Sequence, residues 1–469
     1  MSVRVAVAMT VAAAACTAAG EQPGDLCDQV QCALGTPVWA VRAESPVPQR
    51  IPSARRRRPG SAVEAVAISA GDPPWFAGSY DSQLTVGDAS TAGWQSAELG
   101  AAFVARTGGR RLDTWLADAR APYLVRVVGL LPDHEDGALS LVVGQHGQDP
   151  RHRIEAVWFD RGARQARRET IALIDSAAAL GGVAVAADAH GWPIVALSGT
   201  RIDLGGTISD GVHAIVFRLG QGLERELLVD LPGVDIADLD VDGDLVAIGG
   251  SYRDQPPGWP ACLASCGFVA ALDAGSGAMR WVQVIRASGG AAVHAVGVGG
   301  GQVVAMASAA DAPTEPALGT GALPAYLLTL DAAGDGGLPL LLDQTVLAEA
   351  GTEIAGRDLD VAADGAVVIA LAFRGTALVG SQPIVADDAD GDHESVVAEL
   401  GTDLIWQWVA HLRGEDFNTT VRVAAVAVVG DRVAFGGSYR GGLLLTTPLG
   451  VPMPAYSDQL NGFAIELVR

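Results

Sequence analysis

The stretch Gly243 to Ile285, GDLVAIGGSYRDQPPGWPACLASCGFVAALDAGSGAMRWVQVI, decides the fold. It reads as three short strands. An Asp-Gly turn at Asp242-Gly243 opens the first, LVAIGGSY. A long loop leads to the second, GFVAALD, and a tight turn at Ala274 to Gly277 leads to the third, MRWVQVI.

Working outward, the same unit recurs along the chain. A strand with a small-residue stop stands at Trp75 to Tyr80 (WFAGSY), Leu139 to Gln145, Pro193 to Gly199, Leu245 to Tyr252, Val303 to Ser308, Val367 to Phe373 and Val433 to Tyr439 (VAFGGSY). Turn signals such as Asp136-Gly137, Asp364-Gly365 and Gly430-Asp431 precede most of these strands. A second anchor follows in each copy: Phe103 to Arg106, Ala156 to Asp160, Ala214 to Leu219, Phe268 to Asp273, Tyr326 to Asp331, Val396 to Leu400 and Phe463 to Leu467. Successive anchors start 53, 58, 54, 58, 70 and 67 residues apart, a spacing that suits propeller blades with variable loops better than a solenoid.

Two further strands complete each copy. One lies upstream of the turn: Val63 to Ile68, Tyr123 to Val128, Val183 to Ala187, Ile236 to Val241, Val293 to Val298, Asp358 to Ala362 and Val421 to Val428. The other follows the second anchor and carries Trp115, Trp281 or Trp406 in several copies. The seventh copy ends at Arg469 with its last strand missing, and PVWAVR at Pro37 to Arg42 supplies it, with Trp39 in the place of Trp281. The expected fold is all-β: a seven-bladed β-propeller of four-stranded antiparallel blades, closed by pairing of an N-terminal strand with the last blade. Residues 37–469 then form one domain, with 37–42 the closing strand, 43–60 a linker loop and 61–469 the blades. Runs such as VAVAA that do not alternate point to sheets buried on both faces.

Composition agrees. Of 469 residues, 49% are hydrophobic and 59 are Gly, without a long helical period. All 31 basic residues are Arg, and the net charge of −23 argues against nucleic acid as a partner, since phosphate binding needs a basic face.

The N-terminus reads as an address. Arg4 and the apolar run Val5 to Ala15 are too short for a membrane span and suit a signal peptide over residues 1–15, followed by an exported polar tail over 16–36. Ala13 to Cys16 resembles a bacterial lipoprotein cleavage box, with Ala13 where that family usually has Leu. Lipidation of Cys16 and ordinary cleavage after Ala15 or Ala19 are the two outcomes, and only the first ties the chain to a membrane. The localisation expected is export, as a bacterial outer-membrane lipoprotein or a periplasmic or extracellular protein. The other cysteines fall in two close pairs, Cys27 with Cys32 and Cys262 with Cys266. Disulfides are favoured over metal ligation because no His neighbours either pair. The run Arg55 to Arg58 is a solvated loop, with a processing site or anion patch as alternatives.

Strand, Gly stop, loop, FVA-x-LD, Gly turn and Trp together resemble the bacterial seven-bladed β-propeller repeat of secreted proteins, best at Ile202 to Phe217 and Phe268 to Trp281. That resemblance implies an exported propeller and no single activity. Ala271 to Trp281, ALDAGSGAMRW, also resembles the Trp-docking repeat of quinoprotein propellers, which would imply a quinone cofactor and a dehydrogenase. No residues can be assigned to that cofactor.

Chemical motifs are sparse. Asp238, Asp240 and Asp242-Gly243 begin like a Ca²⁺ loop, but Gly249 stands where the bidentate Glu belongs, and an acidic hairpin turn is the simpler reading. Asp387, Asp388, Asp390, Asp392 and Glu394 form a denser acidic loop, in which Asp388, Asp390, Asp392 and Glu394 are the Ca²⁺ candidates. No H-E-x-x-H, G-x-S-x-G or Walker pattern occurs. The chain is therefore expected to be no enzyme but an exported, lipid-anchored binding or scaffold protein, monomeric, meeting a protein or glycan on loops such as Arg253 to Ser265 and Ala309 to Pro324. A quinoprotein or other channel-sited enzyme and a purely structural surface lipoprotein are the alternatives.

Overall fold

The computed structural model describes residues 37–44, 61–67, 74–80, 85–86, 89–90, 101–108, 111–116, 125–132, 137–145, 151–160, 165–175, 180–205, 209, 211–220, 222, 224–314, 316, 322–334, 341–380, 383–386, 393–414, 420–440, 443–446, 451–453 and 460–469. Seven antiparallel sheets stand around a common axis, each built from an inner, second, third and outer strand, in chain order in blades 1 to 6. Blade 4, the opening stretch, runs Val234–Asp242, Leu245–Tyr252, Cys266–Asp273 and Met279–Ile285. The inner strands of blades 1 to 7 are Ser61–Ala67, Val125–Pro132, Leu180–Ala187, Val234–Asp242, Ala291–Gly299, Glu353–Val361 and Thr420–Val429, and each touches the next around a closed ring.

The ring closes as expected. Pro37–Glu44 is the outer strand of blade 7, antiparallel to Leu460–Val468, with Val41 opposite Ala464. Its Trp39 pairs with Glu466, the position that matches Ala271, partner of Trp281. In blade 6 that position is Glu399, and its partner is Trp408 rather than the expected Trp406, which lies opposite Leu400. The same bulge lies between Ala271 and Leu272 in blade 4, so Trp406 matches Met279 and Trp408 matches Trp281.

The core is not central. Seven apolar clusters each join one blade to the next, so that Val246, Ala247 and Ile248 of one strand are all fully buried, contributing alternately to two clusters. Burial on both faces accounts for the missing alternation. It also accounts for the glycine stops: a Cβ on Gly249 would strike Val293 and Val296 of blade 5, and one on Gly250 would strike the carbonyl of Asp235, which a bulge in the inner strand pushes forward. Gly436 and Gly437 meet the same two obstacles in blade 7, from Val63 and the carbonyl of Arg422.

Loops between second and third strands lap backward onto the preceding blade. Thr85–Val86 from blade 1 pairs with Ala43 and Glu44 at the edge of blade 7. Ile202–Asp203 from blade 3 pairs with the outer strand of blade 2, and Leu443–Thr446 from blade 7 with that of blade 6. Blade 6 reaches blade 5 through the bridge between Ala377 and Ala348, and blade 5 reaches blade 4 through the Thr314 amide bonded to the Arg286 carbonyl at 2.7 Å. The loops expected to be free for recognition are therefore partly spent on holding the ring.

Candidate functional site

Two places on the ring concentrate polar groups, and a third presents an apolar one. The first is the channel. Each inner strand is the free edge of its sheet, so half of its amides point away from the ladder and need acceptors. Asp238 and Asp240, two residues apart on the inner strand of blade 4, provide them. Their Oδ2 atoms accept from the amides of Val296 and Val298 in blade 5 at 2.9 and 2.7 Å. Their Oδ1 atoms accept from Leu239 and Val241 of their own strand at 2.8 and 2.7 Å. Blade 6 repeats the device: Asp358 and Asp360 accept from Val426 and Val428 of blade 7, both at 2.7 Å. One carboxylate thus satisfies edge amides of two neighbouring blades.

Burial raises the pKa of all four. Asp238 and Asp240 are pushed up to about 7, the accepted amides opposing the shift and neighbouring carboxylates adding to it. Asp360 rises to about 6, and Asp358 is held well above the ordinary range by burial and by Asp238 facing it. Asp238 and Asp240 consequently do not belong to an acidic hairpin turn, as their spacing suggested; they lie within a strand, and only Asp242 reaches the turn. The signal that could have found them is the tetrapeptide DLDV, present at Asp238 to Val241 and again at Asp358 to Val361. Two residues before Val296 on the inner strand of blade 5, His294 bonds Ser308 at 2.7 Å, and burial followed by the nearby Arg357 pushes its pKa down to about 3, leaving it neutral.

The second place is a cleft of about 680 Å³ between the tight turns of blades 6 and 7, lined by Asp364, Glu399, Asp403, Gln407, Asp431 and Arg469 among others. Arg469 organises it. Its guanidinium donates to Glu399 at 2.9 Å, to Asp364 at 2.6 Å and to the Gly430 carbonyl at 3.1 Å. Glu399 is buried and also accepts from the Trp408 indole at 2.7 Å, so the recurring tryptophan here serves a carboxylate. Trp281 in blade 4 instead donates to the Ala332 carbonyl of blade 5 at 3.2 Å, a packing role between blades.

The third is the long loop of blade 4. Trp259 is buried against Tyr252 and Phe268, with ring centroids 5.3 and 5.0 Å away. The Tyr252 hydroxyl donates to the Pro260 carbonyl at 2.8 Å, and the Gln255 amide to the Trp259 carbonyl at 2.5 Å. A disulfide joins Cys262 to Cys266, as expected. Between the two cysteines Leu263 is 95% exposed.

The remaining expectations fare unevenly. Cys16, Cys27, Cys32, Asp387, Asp388, Asp390 and Asp392 lie outside the described residues. Glu394 is in the third strand of blade 6, its carboxylate 2.6 Å from Nε2 of His411. Among the described residues no group of three His, Cys, Asp or Glu side chains is arranged to hold a metal ion.

No family model and no curated protein match the chain. Solved structures share the fold. The β-propeller domain of the Trilobed protease from Pyrococcus furiosus aligns with a TM-score of 0.41 at 9% identity, over 72% of this chain and 85% of that one. Pyrococcus horikoshii acylaminoacyl peptidase aligns with a TM-score of 0.43 at 9% identity over 85% of this chain, which spans about half (53%) of the peptidase. A puromycin hydrolase mutant gives a TM-score of 0.34 at 15% identity, over 78% of this chain and 60% of that one. These likenesses carry the fold alone. The expectation that the chain is no enzyme, drawn from its missing motifs, is corrected: the structures it aligns with are a protease domain, a peptidase and a hydrolase, although at these TM-scores no activity passes from them to this chain. The chain is a seven-bladed β-propeller, and its resemblance to the secreted and quinoprotein repeats finds no matching family.

Proposed function

We propose that this chain is an exported propeller, anchored through a lipid on Cys16, that binds a protein partner on the face carrying its long loops. The single observation behind this reading is the blade 4 loop. Ordering a loop costs about 1–2 kcal/mol per residue, and here aromatic packing, two side-chain hydrogen bonds and a disulfide share that cost before any partner arrives. What the loop presents is Leu263, an apolar side chain almost wholly in water. A rigid loop that exposes one apolar residue is an economical recognition element, since little further order is lost on docking. The resemblance of the repeat to that of secreted propellers fits the same picture.

Photo-crosslinking in the native cells tests it. A benzophenone amino acid at position 263 should yield a defined adduct, while the same group at Ile405, 60% exposed on the opposite face, should not. Equal adducts at both positions, or none at 263, would remove the loop from recognition. Metabolic labelling with a fatty acid, lost on Cys16→Ser, tests the anchor; a label that survives the substitution refutes it.

A further inference from the structure

The chain shows what fits the outer edge of its own blades. On blades 2, 6 and 7 the outer strand receives a short antiparallel segment from the next blade's loop: Ile202–Asp203, Leu443–Thr446 and Thr85–Val86. Blade 5 takes Thr376–Leu378 of blade 6 in the same way, at Leu347–Glu349, but along the preceding Leu341–Val346, which ends its sheet, no segment pairs among the described residues. An open edge is a template for another strand, and proteins normally guard it with charge or proline. The outer strand of blade 3, Arg225–Pro232, is guarded in this way by Arg225, Glu226, Asp230 and Pro232. In blade 5 the one charged residue is Asp343, whose carboxylate already accepts from Thr345 at 3.0 Å, while Leu342 and Val346 are 51% and 42% exposed.

We infer that the edge Leu341–Val346 of blade 5 is a docking site for an extended, apolar, basic-flanked segment of a partner protein, added as an antiparallel fifth strand. This rests on the reading of the chain as a binding protein and adds a second contact to it. Antiparallel addition follows from the three segments the chain supplies to itself. Apolar side chains match the exposed leucine and valine on the edge. Basic flanks follow from charge: with 54 acidic against 31 basic residues, a second copy of this chain would meet its own repulsion, whereas a cationic segment is attracted.

The test uses the full chain and a labelled synthetic peptide, KKLLLTKK, whose centre copies the segment that caps blade 6. Fluorescence anisotropy should show saturable binding, and hydrogen exchange should slow in 341–346 on peptide addition. Leu342→Lys and, separately, Val346→Lys should each weaken binding by about tenfold or more. Leu227→Lys, on the guarded edge of blade 3, should leave it unchanged. Equal weakening by all three would reduce the effect to charge and overturn the proposal, as would protection elsewhere than 341–346. A dimer in sedimentation that Leu342→Lys dissolves would make the occupant a second copy, against the inference. With the benzophenone amino acid moved to the neighbouring exposed Ala264, Leu263→Asp separates the two readings: it should abolish the crosslink at the loop face and leave peptide binding intact.

Discussion

The inner and outer rims of this propeller face the same physical problem and meet it differently. Each blade ends on both sides in a strand with unpaired backbone groups. At the outer rim the remedy is more backbone: two- to four-residue segments extend the sheet, and one whole strand, Pro37–Glu44, completes blade 7. At the inner rim there is no room for another strand, and side chains take over, with carboxylates of blades 4 and 6 capping the amides of blades 5 and 7. Main-chain capping is neutral and insensitive to pH. Carboxylate capping places four acidic groups in a shielded channel and ties the ring to proton concentration.

Removing the outer closure should damage the ring most. A chain beginning after Glu44 exposes the whole edge of Leu460–Val468, and urea unfolding should show a loss above about 4 kcal/mol or no cooperative transition. Next comes Arg469, which holds the end of blade 7 to blade 6. Arg469→Ala leaves Glu399 buried without its cation and should cost about 3 kcal/mol, much of it recovered by adding Glu399→Gln.

The inner rim gives a smaller, pH-dependent effect of defined sign. The channel aspartates have folded pKa values above their ordinary 3.8, so the folded state holds protons that the unfolded state releases. Their contribution is complete below about pH 4 and is lost as pH rises through 6 to 7. Stability from these groups should therefore fall between pH 5 and pH 8. Asp240→Asn with Asp360→Asn should flatten that fall, and because each asparagine can accept only one of the two backbone amides its carboxylate serves, the variant should also be about 1–3 kcal/mol less stable than the parent at pH 5. A parent whose urea midpoint does not move across that range would show that the accepted amides outweigh burial. The smallest effect belongs to the disulfide: Cys262→Ser with Cys266→Ser opens a ring of very few residues and should cost about 1–2 kcal/mol.

Much of the ring was legible because each blade repeats a turn, a strand stopped by glycine and an anchor strand, and because the missing last strand had only one counterpart near the start. The glycine stops, read as punctuation, turn out to be sites of close approach to a bulged carbonyl or to the next blade. What stayed hidden has identifiable reasons. Segments of two residues such as Ile202–Asp203 carry no periodicity, so the lapped loops could not be recognised as strands. Trp406 and Trp408 stand two apart, and only the strand pairing tells which of them takes the place of Trp281. The Asp-Gly that follows Asp238 and Asp240 suggests a turn motif, although the second DLDV, followed by Ala362 and Ala363 rather than directly by Asp-Gly, breaks that pattern. The cleft around Arg469 joins residues from two blades and the very end of the chain, a conjunction that no local spacing announces.

The pairing of Val41 with Ala464 also sets an order of events. Six blades are built from neighbours in sequence and can form as the chain lengthens, but the seventh has to retrieve a strand laid down more than four hundred residues earlier. Thr85–Val86 can cap that strand only afterwards, so part of the first blade's loop settles last. Contacts of such long range are slow to find. A chain threaded through a membrane from its N-terminus would keep its first strand waiting until its final residues emerged, and a tether near that strand would hold the two ends within reach of each other.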